Sequence, residues 1–160
     1  MNSLTKALSV VSIAMGSLLL SSGPALASIS TPDIVAWHEV GETNANWKCG
    51  TVTDHPAADG IRFRACIIRN EMDMAQAVLV LVNNSGRKVQ IHGETNTTIR
   101  TSWNPSRKNL ADVDCASSPL NTGFQVGCFS RTKRVEPSLS VKMRLNINGH
   151  VKTIEYSRPD

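Results

Sequence analysis

Four cysteines, Cys49, Cys66, Cys115 and Cys128, are the most reactive side chains of this chain. They lack the C-x-x-C spacing that structural zinc sites use, so a thiolate metal site has no local support. An even count in an exported chain reads instead as two disulfides. Four cysteines allow three connectivities. The local pairs Cys49–Cys66 and Cys115–Cys128 are favoured because each closes a short loop that contains turn signals. Each would contribute about 3 kcal/mol by the chain-entropy argument. Oxidation also removes the thiolate as a nucleophile.

The remaining reactive side chains form no recognisable constellation. His38, His55, His92 and His150 are scattered, with no H-x-H, H-x-x-x-H or H-E-x-x-H spacing. Asp54-His55 suggests a carboxylate orienting an imidazole, but no G-x-S-x-G nucleophile accompanies it. Paired carboxylates and a phosphate-cradling glycine loop are equally absent from the sequence. No catalytic residue, metal ligand or cofactor is therefore assigned. The most distinctive stretch runs from Arg100 to Lys108, with Trp103, Pro105 and Arg107 between them. A Trp on a Pro-bearing loop among Arg100, Arg107 and Lys108 suits stacking on a sugar ring and holding an anion. The bland alternative is a Trp tucked against the end of the domain beneath solvated charges. Asn83 and Asn96 head N-x-S/T triplets, which matter only in a host that glycosylates exported proteins.

Those residues need a scaffold, and the sequence supplies one after a leader. Lys6 precedes an apolar run from Ala7 to Leu20, then the helix-ending Ser21-Ser22-Gly23-Pro24 and the small-residue site Ala25-Leu26-Ala27. That order is a cleavable signal peptide over residues 1–27, leaving one domain over 28–160. A retained membrane anchor is the competing reading. A spanning helix needs about 20 apolar residues, and this run is shorter and broken by serines. No later segment is apolar enough to span. The destination is extracellular, or periplasmic if the host has an outer membrane.

The domain reads as all-β. From Leu139 to Ile147 apolar residues alternate strictly with polar ones, and Asn148-Gly149 is the preferred pair for a tight type I′ turn. The return strand starts at His150, placing Met143 opposite Ile154 and Val141 opposite Tyr156. Ile61 to Ile68 alternates as well, with Ile61, Phe63, Ala65 and Ile67 on one face and Arg62, Arg64, Cys66 and Ile68 on the other. A strand over Trp47 to Thr53 would bring Cys49 opposite Cys66 and lay Trp47 over the disulfide. Ala77 to Val82 is continuously apolar, as in a central strand covered on both faces. A helix over Glu71 to Leu81 competes, but the valines and the Asn83–Gly86 turn favour a strand. Arg87 to His92 reads as its hairpin partner. Further strands are expected at Thr97–Trp103, Gly123–Ser130 and, at an edge, Ile34–Val40. Residues 104–122 read as a long surface loop tied down by the second disulfide. Seven to nine short strands imply an antiparallel β-sandwich, immunoglobulin-like, with a small β-barrel as the alternative.

The segments Trp47-Lys48-Cys49-Gly50, Gly60 to Ile67 and Ala75 to Asn83 resemble small secreted actinobacterial proteins whose paired cysteines flank short strands. The resemblance implies a secreted β domain and brings no catalytic residue with it. Bacterial two-disulfide protease inhibitors are similar in size and cysteine count alone. Charge is unevenly spread: residues 28–86 hold four Lys and Arg against seven Asp and Glu, and residues 87–160 hold twelve against six. A basic second half attracts polyanions. The expected function is a secreted, non-enzymatic binding module for anionic or saccharide cell-surface material such as cell wall. Nucleic acid is not an expected partner. The alternatives are an inhibitor of an extracellular protease, acting through a disulfide-braced loop over 104–127, and an enzyme whose site assembles only in space.

Overall fold

The computed structural model describes residues 33–101, 104–109, 113–134 and 138–158. The expected signal peptide lies outside them, as does Trp103. Within them the chain is all strand and turn, and no helix is long and apolar enough to cross a membrane.

Thirteen strands among the described residues form two sheets. One sheet, here sheet A, contains β1 (Asp33–Val35), β7 (Val89–Thr101), β8 (Asn104–Asn109), β9 (Val113–Leu120), β12 (Ser138–Ile147) and β13 (His150–Arg158). Its order is β1-β9-β7-β12-β13, with β8 also paired to β7. Sheet B contains β2 (His38–Glu39), β3 (Trp47–Cys49), β4 (Thr53–Asp54), β5 (Ile61–Arg69), β6 (Met74–Asn83), β10 (Gln125–Phe129) and β11 (Lys133–Arg134). Its order is β2-β10-β6-β5-β3, with β4 on β5 and β11 on β6. All pairs are antiparallel except β1 with β9, so sheet A is mixed rather than purely antiparallel. The two-sheet, sandwich-like arrangement is the expected one, with more strands than the seven to nine anticipated, ranging from two residues to thirteen.

Side chains from the two sheets meet in one core. Ile61, Phe63, Ile67, Leu79 and Leu81 come from sheet B, and Ile91, Val113, Met143, Leu145 and Ile147 from sheet A. All are fully or almost fully buried. The β12–β13 hairpin has the expected register, Met143 with Ile154 and Val141 with Tyr156. Its turn residues Asn148 and Gly149 have φ of 49° and 89°, as a type I′ turn requires. β6 is the middle strand of sheet B and is buried on both faces, which explains its unbroken apolar run.

Five expectations need correction. Arg87 to His92 is not the hairpin partner of β6. Both edges of β6 are taken by β5 and β10, and the chain crosses to sheet A as β7. The buried Asn83 fixes that crossover, its amide donating to the carbonyls of Arg87 and Leu120 at 2.9 and 3.0 Å. The segment Thr97–Trp103 is not a separate strand; β7 runs unbroken to Thr101. Residues 104–122 are not a loop but contain β8 and β9, whose Val113, Cys115 and Leu120 reach the core. Ile34–Val40 is not one edge strand. It splits between the sheets as β1 and β2, with Trp37 in the bend donating from Nε1 to the Ala116 carbonyl at 2.9 Å. The expected strand at Trp47–Thr53 is likewise broken, into β3 and β4.

Candidate functional site

Both disulfides have the expected connectivity. Their settings differ. Cys115 on β9 and Cys128 on β10 join the two sheets through the core, with Cα atoms 5.9 Å apart. Cys49 and Cys66 stand opposite each other on adjacent strands of sheet B, with Cα atoms 4.0 Å apart. Gly50 N–H donates to the Ala65 carbonyl at 2.9 Å, which makes the cysteine pair the closer-spaced, non-hydrogen-bonded one.

That second disulfide lies on the outer face of sheet B, and the register shows what surrounds it. On β5 and β6 the outward pairs are Arg62 with Val82, Arg64 with Val80, Cys66 with Val78 and Ile68 with Gln76. β10 sets Gln125, Gly127 and Phe129 beside Val82, Val80 and Val78. Cys66, Val78 and Val80 are buried although they point away from the core. Trp47, Cys49, Ile68 and Phe129 pack over them. Trp47 and Phe129 meet edge to face with centroids 6.2 Å apart, and His38 adds an edge contact to Phe129 at 6.0 Å. Gly127 makes this roof possible. A Cβ there would lie 2.7 Å from Val40 Cγ2 and 2.8 Å from Phe129 Cε2.

The roof covers half of the face. Towards the other end of the strands a shallow basin of about 160 Å³ opens, lined by Val52, Arg62, Arg64, Val80, Val82 and Gln125. Arg62 is exposed and Arg64 half-buried. Two residues apart on one strand, they point to the same face. Neither guanidinium forms an ion pair among the described residues. Asp54 stands opposite Arg62 in register but does not bridge to it. Gln125, also in the lining, donates from Nε2 to the Val40 carbonyl at 3.1 Å. Val52 is 49% exposed beside this basin, an apolar side chain left in water. The arrangement is two cationic forks over an apolar floor, suited to an anion with apolar substance behind it.

The other sequence-selected residues separate. β8 pairs back on β7, with Lys108 opposite Ile99 and Asn104 opposite Thr101. The backbone thus brings Arg100, Arg107 and Lys108 into one hairpin on sheet A. Trp103 lies outside the described residues. Of the four histidines, only His150 lies close enough to act on His55 among the described residues. Among the described residues no group of three His, Cys, Asp or Glu could hold a metal. Asp54 does not orient His55. The His55 ring is buried, accepts at Nδ1 from the Ala57 N–H at 3.2 Å and donates from Nε2 to the Leu145 carbonyl at 3.3 Å. It pins the β4–β5 connection of sheet B to β12 of sheet A. Burial holds its pKa below the ordinary 6.5; the Leu145 carbonyl pulls the other way, and the charges of His150 and Lys152 lower it further. Of the two N-x-S/T asparagines, Asn83 is fully buried with its amide spent on two carbonyls, so in the folded domain it is no glycan acceptor.

Sequence reading placed Arg62 and Arg64 on an outer face without assigning them a role. The signal was present: Arg-x-Arg alternation beside a strand apolar on both faces puts cations next to valines. Comparison with known proteins adds nothing to this geometry, since no family model, no curated protein and no solved structure matches the chain.

Proposed function

We propose that the chain acts outside the cytoplasm as a non-enzymatic binding module for anionic cell-surface material. One observation carries this reading. Arg62 and Arg64, without ion-pair partners among the described residues, flank an apolar floor on the outer face of sheet B. Three other surface cations do have acidic partners: Arg144 bridges Glu94 at 2.8 Å, Lys142 bridges Glu155 at 3.3 Å, and Arg131 pairs with Asp33. Two disulfides are compatible with an oxidising compartment. The β7–β8 hairpin carrying Arg100, Arg107 and Lys108 is the second contact in this reading, together with Trp103, which lies between these residues in sequence. The scaffold is proposed as immunoglobulin-like because a disulfide ties its two sheets across the core, as in that class. Residues 104–127, the braced loop of the inhibitor alternative, contain β8, β9 and the start of β10 among the described residues.

The test is co-sedimentation of the purified protein with isolated cell wall at low and high salt. Exposed charges are screened beyond about 8 Å at physiological ionic strength, so binding should weaken as salt rises. Arg62→Gln with Arg64→Gln should weaken binding about tenfold or more, as expected when charge-assisted hydrogen bonds are lost. Wild-type pelleting by the double variant would remove the basin from the reading. No pelleting of the wild type at either salt would end the wall-binding reading altogether.

A further inference from the structure

Among the described residues, the main strand paths of the two sheets end in four edge strands, and three of them are short. β1 and β3 have three residues each and β2 has two. Short edges are how native sheets avoid unwanted pairing. The fourth edge, β13, has nine. The two-residue turn at Asn148-Gly149 makes Ile147 and His150 a hydrogen-bonded pair. Even-numbered residues of β13 therefore direct their backbone groups to β12. Val151, Thr153, Glu155 and Ser157 direct theirs the other way, where no described strand pairs with them.

A cleft of about 430 Å³ lies beside this edge, lined among others by Gly50, Thr51, Thr53, Ala65, Ile154 and Tyr156. It opens where β3 breaks into β4. Small side chains keep it open: a Cβ on Gly50 would meet Tyr156 Cδ2 at 2.8 Å. The β13 row on this side is His150, Lys152, Ile154, Tyr156 and Arg158. Ile154 and Tyr156 pack on the core, and His150 and Lys152 lie close enough to act on His55. Three of the five are basic. Arg158 gives Nη1 to the Asn46 carbonyl at 3.2 Å, and neither it nor Lys152 forms an ion pair among the described residues. Glu155 belongs to the opposite row and is held by Lys142.

This pattern discriminates between occupants. In a second copy paired antiparallel about Ile154, His150 would face Arg158, so the basic row opposes self-pairing in that register. An acidic strand would complement it. We propose that β13 binds an extended polypeptide segment by strand addition, its acidic side chains at alternate positions meeting His150, Lys152 and Arg158 and one side chain entering the cleft beside Gly50. The site is separate from the Arg62–Arg64 basin and does not rest on it.

The probe is a synthetic peptide alternating Glu with Val, added to the purified protein and followed by amide hydrogen exchange. Exchange at Val151, Thr153, Glu155 and Ser157 should slow about tenfold or more, while the already paired even-numbered amides stay as they were. Thr153→Pro removes an N–H from the free edge only and should abolish the effect. A peptide N-methylated at alternate residues should also fail, which keeps the test valid if the proline variant folds poorly. Arg62→Gln with Arg64→Gln should leave peptide protection unchanged. The proposal is overturned if these four amides gain no protection, if a peptide with Lys in place of Glu protects them equally, if the Arg62 and Arg64 variant loses the effect, or if the chain alone dimerises in a way that Thr153→Pro abolishes.

Discussion

Two apolar clusters hold this domain, one between the sheets and one on the outside of sheet B. Both are built on β6: Leu79 and Leu81 point inward and Val78 and Val80 outward. Each contains one disulfide. The inner cluster is closed on both sides by rigid sheets. The outer one is closed on one side only, by half-buried Trp47, Phe129 and Ile68. Among the described residues sheet A has no such outer cluster. Its outward residues include Glu94, Lys142, Arg144 and Glu155, joined in ion pairs across neighbouring strands. Equal burial of a side chain thus means different things in the two places, because a roof of side chains can settle into a vacancy and a second sheet cannot.

The disulfides give the largest expected difference. By loop length alone, Cys49–Cys66, with a separation of 17, should stabilise slightly more than Cys115–Cys128, with 13. Packing predicts the reverse order. Replacing Cys115 and Cys128 by Ala removes two sulfurs from the closed core and should cost about 4–5 kcal/mol, cavity included. Replacing Cys49 and Cys66 should cost about 3 kcal/mol, with a sharp fall in secreted yield. Urea denaturation of the two double variants measures both. Equal losses would mean that loop entropy dominates and that the contrast between the clusters is immaterial.

A second pair of substitutions sharpens the contrast within one strand. Leu79→Ala should cost about 3 kcal/mol, transfer and residual cavity together. Val78→Ala should cost about 1.5 kcal/mol, close to the transfer of two carbons, because Trp47 and Phe129 can close over the gap. After scaling for the carbons removed, a Val78 loss as steep as that at Leu79 would show the roof to be as rigid as a sheet. Trp47 fluorescence would report its movement directly.

This architecture was unevenly legible in the sequence, for physical reasons. Strict alternation and Asn148-Gly149 specify the β12–β13 register because pattern and turn geometry agree. The double burial of β6 and the Cys49–Cys66 pairing were equally readable. What failed was connectivity. A turn signal such as Asn83 to Gly86 marks where the chain turns, not which sheet it joins next. That choice is made by Asn83 bonding to Leu120, 37 residues away in sequence. β9 was missed because Ser117, Ser118 and Pro119 read as loop chemistry, although Val113 and Cys115 already alternate. The basin was half legible: the facing of Arg62 and Arg64 follows from period two, but the apolar floor depends on β6 lying beside β5.

The clusters also differ in how they respond to acid, and His55 is the reason. It is the buried titratable side chain at the inner cluster, with its ring centroid 5.8 Å from that of Phe63. Burial lowers its pKa from 6.5, so the folded state binds the proton less readily than the unfolded chain. The His55 contribution is therefore complete above pH 6.5. It falls as pH drops below 6.5 towards the lowered folded value and is constant below that. Protonation would also force Nδ1 to stop accepting from Ala57 N–H, loosening the link between the β4–β5 connection and β12. Denaturation at pH 7.5 and pH 5 should show the wild type losing stability on acidification. His55→Gln should be weaker at pH 7.5 but lose less between the two values. Val78→Ala, confined to the outer cluster, should lose as much on acidification as the wild type. If His55→Gln keeps the full acid sensitivity, the proton goes elsewhere and His55 is a passive filler of the core. If Val78→Ala flattens the profile, the two clusters are coupled through β6 and do not respond independently.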